Sequence, residues 1–150
     1  MYKRILIPTD GSEASRHAIH AGIDLAKMLH ADVVALSVTP TFHVLSLEPN
    51  QLKQTASQFE FDNRTRATAL LHEVSHAARE AGVNCTCEHV ESDHPFEAII
   101  ATALEKNCDL INMGSHGHKG LKGLLLGSQT QKVLVHSNIP VLVHRYGAST

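Results

Sequence analysis

Residues Gly114 to Ser128, GSHGHKGLKGLLLGS, carry five glycines, two histidines and two lysines, and no acidic side chain. Glycines at such intervals let a backbone approach a ligand closely, and a loop of this kind that leads into a helix suits a phosphate. The free N–H groups and the positive end of the helix dipole both favour an anion there. Gly127 and Ser128 open that helix, Thr130 in its first turn offers a hydroxyl, and Lys119 and Lys122 offer charge from the loop. A second group, Pro8-Thr9-Asp10-Gly11-Ser12, follows the first apolar run.

The charge pattern agrees with an anionic ligand. Asp109 is the last acid, and from Leu110 to Thr150 the chain has four cations, four histidines and no anion. The first 109 residues hold all 15 acids against nine bases, and the net charge is only −2. That total, without a basic stripe interleaved with aromatics, argues against nucleic-acid binding. No apolar run nears the roughly 20 residues that cross a bilayer, and "MYKRILIPTDGS" lacks a signal-peptide core. The expectation is a cytoplasmic protein without membrane contact. Three cysteines form no disulfide framework. Cys85 and Cys87 share a strand face and read as small buried hydrophobes. Of the twelve histidines, His72/His76 and His17/His20 share helix faces, but two ligands make no zinc site, and they read as solvated.

These groups need elements to position them. Ile5-Leu6-Ile7, stopped by Pro8, is a short buried strand of the kind found in parallel sheets. From Ser12 to His30 the period is helical, with Ala18, Gly22, Leu25 and Leu29 in one stripe beside Ile19, Ile23 and Ala26. Asp10 is a candidate N-cap of that helix as well as a ligand contact. Ala31 to Val38 forms a second strand, and Thr41 to Gln51 is irregular. A long helix runs from about Leu52 to Ala81, with Leu70, Leu71, Val74, Ala77, Ala78 and Ala81 toward the core and Gly82 at its end. Val83 to Ser92 is the third strand. Pro95, after Asp93, opens a helix that buries Phe96, Ile99, Ile100, Ala103 and Leu104. Asp109 to Ser115 is the fourth strand, Ser128 to Ser137 the last helix, and Ile139 to Arg145 the last strand. Strict alternation over residues 1–150 predicts one α/β domain, a doubly wound parallel sheet of five strands with four helices. With strand order 3-2-1-4-5, strands 1 and 4 meet at the switch point where ligands bind. The last strand is then an apolar edge, which pairing with a second copy over Ile139 to Arg145 would cover.

Gly114-x2-Gly117-x9-Gly127-Ser128 resembles the nucleotide-binding pattern of the universal stress protein (UspA-like) family. "ILIPTDGS", "DLINMGSHGHKG", "LLLGSQTQKVL" and "IPVLVHR" extend the resemblance over the whole chain. It implies a Rossmann-like fold and a cytoplasmic homodimer of single-domain chains that binds ATP or AMP, Mg²⁺ accompanying ATP and held in part by Asp10. Under that resemblance Thr9 and Asp10, with Pro8 beside them, lie near the ribose and phosphates, and the backbone at Val38 meets the adenine. Met113, Gly114 and Gly117 line the nucleotide, His116 and His118 border it, and Gly127, Ser128, Gln129 and Thr130 hold the phosphates. The sequence departs from the pattern at Asn112, where an apolar strand residue is expected, at His118 in place of a frequent Arg, and at Gln129 in place of a small aliphatic residue.

Two other readings stay open. His116-Gly117-His118 resembles the HxGH element of nucleotidyltransferases, and a slow hydrolase or transferase would use His116 and His118. That element follows the first strand in those enzymes and the fourth here, and no Walker lysine is present. In the other reading the glycines only shape a turn of a nucleotide-independent interaction protein. Thr41 to Phe61 is expected to flank the crevice as a lid.

Overall fold

A computed structural model describes residues 1–43, 49–116 and 126–146, with residues 49–54 traced as backbone. The strands are β1 (Arg4–Pro8), β2 (Asp32–Thr39), β3 (Cys85–Glu91), β4 (Leu110–Gly114) and β5 (Val141–His144). The helices are α1 (Glu13–Leu29), α2 (Pro49–Glu80), α3 (Pro95–Glu105) and α4 (Ser128–His136). The sheet is parallel in the order β3-β2-β1-β4-β5, so β1 and β4 are neighbours, as the sequence requires of a switch point.

Alternation along each strand divides the core into two layers. Ile5, Ile7, Val33 and Ala35 pack with Ile19, Ile23, Ala26, Leu71, Val74 and Ala78 of α1 and α2. Leu6, Val34, Leu36, Ile111 and Met113 point the other way, toward Ile99, Ala103 and Val133 of α3 and α4. A strand buried on both faces has no solvent side, which is why these runs are continuously apolar.

Several expectations need correction. Ser12, not Asp10, caps α1: its Oγ accepts from the Ser15 amide at 3.1 Å, while Asp10 Oδ1 accepts from the Ser12 amide at 2.9 Å. Leu104 is exposed, because α3 turns only Ala98, Ile99, Thr102 and Ala103 fully inward. Cys87 is exposed on the edge strand β3, although Cys85 is half-buried. The long helix begins at Pro49, three residues before Leu52, and also buries Ala67 and Asn63. Asn63 Nδ2 donates to the Pro40 carbonyl at 3.0 Å, which ties the helix to the end of β2.

Asn112 shows how a polar residue can occupy a central strand. It is fully buried on the α1 side of β4, where its Nδ2 donates to the Ala18 carbonyl at 2.8 Å. Its Oδ1 meets His144 Nε2 at 2.6 Å. Both ends of the amide are used, so burial leaves no unmet hydrogen bond. Gly22 permits the contact: a Cβ there would lie 2.6 Å from Asn112 Nδ2 and 2.8 Å from Ile7 Cδ1.

Candidate functional site

The carboxyl ends of β1 and β4 open side by side, and the N-termini of α1 and α4 lie at that same end of the sheet. The two termini differ in how their N–H groups are used. The turn that leads into α1 is knotted by side chains. Ser15 Oγ donates to Thr9 Oγ1 at 3.1 Å, Asp10 N donates to Ser15 Oγ at 3.3 Å, and Gly11, at φ 81°, donates to Thr9 Oγ1 at 3.4 Å. Thr9 is buried in this knot, and its amide donates to the Leu36 carbonyl at 2.8 Å. In the first turn of α1 the Ser15 amide is thus taken by the Ser12 hydroxyl, and Asp10 places a carboxylate beside it.

α4 is built differently. Its N-cap is Gly127, extended at φ −70° and ψ 159°, and no side chain caps it. The first intrahelical bond runs from Gln131 N to the Gly127 carbonyl at 3.0 Å. The amides of Ser128, Gln129 and Thr130 precede it, and a helix leaves such amides without an intrahelical acceptor. No acidic residue sits in the first turn. The neck of the loop is fixed, because Gly127 N donates to the Ser115 carbonyl at 2.6 Å.

The candidate residues take distinct positions around this terminus. Ser128 is exposed. Thr130 is buried, and its hydroxyl donates to the Gly114 carbonyl at 3.0 Å, which pins α4 to β4. The Gln129 side chain reaches away: its Oε1 accepts from the Phe96 amide at 2.9 Å and so caps α3. His116 is half-buried, with Nδ1 3.1 Å from Ser115 Oγ. Met113 and Val38 pack in the α3/α4 layer, Pro8 ends β1 beside Leu36, and Asp10 is exposed at the mouth. At two glycines the close approach is to the protein itself. A Cβ on Gly114 would lie 2.9 Å from the Ala14 carbonyl oxygen, and one on Gly127 3.1 Å from His116 Cα. Gly117, His118, Lys119 and Lys122 lie outside the described residues.

Of the expected lid, Thr41 to His43 and the start of α2 are described. Thr41 donates to Asp93 through N at 3.1 Å and Oγ1 at 2.5 Å, and His43 Nε2 is 2.8 Å from Asp93 Oδ2. These bonds hold the Asp93 carboxyl down to about 2. Sequence reasoning missed this clasp, because its partners are 50 or more residues apart. It also missed the capping role of Gln129.

Two features stand apart from the crevice. A cavity of about 250 Å³ lies at the opposite, amino end of the strands, lined by Arg4, Asp32, Asn84, Thr86, Glu88 and Lys106. Its charges already pair with one another, Lys106 Nζ with Glu88 Oε1 at 3.0 Å and Arg4 with Asp32 at 3.8 Å. Among the described residues no three His, Cys, Asp or Glu side chains converge as a metal site, and no helix is long and apolar enough to cross a membrane.

A profile of the universal stress protein family matches residues 1–145. The chain belongs to the universal stress protein family. It is 35% identical over 143 residues to the universal stress protein MJ0531 of Methanocaldococcus jannaschii, covering 95% of this chain and 82% of the relative. The solved structure of MJ0577, a universal stress protein of the same organism, superposes with a TM-score of 0.85 at 30% identity and covers 99% of each chain. A universal stress protein solved in complex with cAMP superposes with a TM-score of 0.70 at 25% identity, covering 95% of this chain and 97% of the other.

Proposed function

We propose that this universal stress protein binds an adenine nucleotide, ATP or AMP, in the β1/β4 crevice and acts as a homodimeric nucleotide-dependent switch. The uncapped N-terminus of α4 carries this reading. Where Ser12 caps α1, no side chain caps α4, and its first-turn amides lie in the acid-free part of the chain. The amides of Ser128, Gln129 and Thr130 would hold the phosphates, with the Ser128 hydroxyl beside them. Gly117, His116 and His118 would border the nucleotide, the Val38 backbone would meet the base, and Asp10 would share Mg²⁺ with the phosphates. The bound cAMP of a family member supports the choice of an adenine nucleotide.

The homodimer is proposed through β5. Leu142 on the edge strand and Leu134 and Val135 on α4 are exposed, and Tyr146 folds back on α1 instead of covering that edge. Pairing of two edge strands about a two-fold axis would bury them. The role in the cytoplasm remains part of the same proposal.

Mass spectrometry of nucleotide released from the denatured protein, with calorimetric titration of ATP, ADP and AMP in the presence of Mg²⁺, tests the reading. Released adenine nucleotide or a saturable heat supports it. Neither at millimolar ligand would place the chain among nucleotide-independent members.

A further inference from the structure

A side-chain relay ties the edge strand β5 to α1 by way of β4: His144 bonds Asn112, and Asn112 bonds the Ala18 carbonyl. Alternation turns Val141 toward the α3/α4 layer and His144 toward α1, alongside Asn112 on β4. Asn112 Nδ2 donates to the Ala18 carbonyl, which can only accept, so the orientation of the amide is fixed. Its Oδ1 therefore faces His144 Nε2 at 2.6 Å and must accept in turn. His144 is thereby set as the Nε2–H tautomer, and a second proton can enter only at Nδ1.

The surroundings are poor for a charge. From α1, the His17 ring lies edge-on to His144 at 6.2 Å, and Glu13, a turn earlier, accepts from the Tyr146 hydroxyl at 2.8 Å. From β4 come Asn112 and Gly114, neither of which ionises. α4 packs on the far face of β5. Past the strand, Tyr146 lies 5.9 Å from the His17 ring, and Arg145 precedes it. Among the described residues no ion pair includes His144.

We propose that His144 is an acid-sensitive fastener of the edge strand: a proton at Nδ1 places a charge in the α1–β5 seam, beside His17, and loosens β5 from the sheet's α1 side. The device does not depend on the crevice taking a nucleotide. Burial, and then the nearby His17, hold the His144 ring below its ordinary range. The sign follows. Between the lowered folded value and the ordinary value of about 6.5, the released strand binds more protons, so the fastening is complete above that value and weakens as pH falls.

The test is amide hydrogen exchange of the full-length protein at pH 7.5 and 5.5, corrected for intrinsic rates, with ¹⁵N spectra of the imidazoles. The expected result is an Nε2–H signature for His144 at pH 7.5. Protection of the β5 amides falls several-fold at pH 5.5, by about tenfold for each unit the ring is held down, while β2 changes little. His144→Gln supplies an N–H to Asn112 without titrating, and it keeps β5 protection equal at both pH values. His17→Gln moves the midpoint of the loss to higher pH, a readout that survives if His144→Gln fails to fold. An Nδ1–H signature, equal pH-dependence in folded His144→Gln, or undiminished β5 protection in the wild type at pH 5.5 overturns the proposal.

Discussion

If the N-terminus of α4 holds phosphate, removing one of its N–H groups must weaken nucleotide binding without harming the fold. Ser128→Pro does this. Proline suits the first helical position, where the amide has no intrahelical acceptor. Gly127, at φ −70° and ψ 159°, is already extended as a residue before proline must be. The helix loses no bond, because its first one is donated by Gln131. A hydrogen bond to a charged group contributes about 1.5–3 kcal/mol, which converts to roughly 10- to 150-fold in Kd. Ser128→Ala controls for the lost hydroxyl, and adenosine controls for the base and ribose. Calorimetry of ATP, AMP and adenosine against all three proteins is the assay, with thermal denaturation to show that the fold is kept. ATP and AMP are expected to weaken by at least tenfold in Ser128→Pro, while adenosine is unchanged. A folded Ser128→Pro protein that binds ATP within twofold of wild type would falsify the assignment of phosphate to α4. Valine at Gly114 or Gly127 is a poorer probe, since each Cβ would press on the protein's own backbone.

Gly22→Ala gains about 1 kcal/mol of helix propensity. It also forces a Cβ to within 2.6 Å of Asn112 Nδ2, an overpacking that costs about 1–3 kcal/mol, and strains a buried hydrogen bond worth about 1 kcal/mol more. Urea denaturation is expected to show net destabilisation, and a stabilised variant contradicts the close α1–β4 approach. Thr130→Val removes the bond to the Gly114 carbonyl and leaves that acceptor unmet, a loss of about 1–3 kcal/mol by the same measurement. The Cys85 thiol is pushed up to about 12 and Cys108 to about 11, mainly by burial. Both should resist iodoacetamide at pH 8 in the native protein and react once it is unfolded, as intact-mass kinetics would show. The Asp93 clasp acts locally. Its carboxyl is lowered by Thr41 and His43, so its contribution is present above the ordinary value near 4 and lost as pH falls toward about 2. Exchange of the Thr41 amide, corrected for intrinsic rate, should accelerate over that interval in the wild type, whereas Asp93→Ala is fast throughout.

What the sequence determined by itself was whatever depends on neighbours in the chain. Short apolar runs ended by Pro8 and Pro40, helical stripes between them, and Gly82 at φ 75° gave the five strands, the four helices and their alternation. Right-handed crossovers then left few topologies, and the order 3-2-1-4-5 is the one observed. The spacing of Gly114, Gly117, Gly127 and Ser128 pointed to the family and to the end of the sheet where a ligand would sit.

Tertiary structure decided how each polar group is used, because a hydrogen bond is settled by what lies opposite, often 30 to 100 residues away. Asp10 looked like a helix cap, but Ser12 takes that place once Thr9 and Ser15 close the turn. Gln129 and Thr130 read alike in the sequence, yet the side chain of the first caps α3 and that of the second binds β4. Asn112 looked misplaced in an apolar strand until Ala18 and His144 came to either end of its amide. Leu104 belonged to an apolar stripe but faces solvent, since α3 meets the sheet along only part of its surface. Chain-local chemistry fixes which elements form. Only packing decides which of their donors and acceptors remain for a ligand.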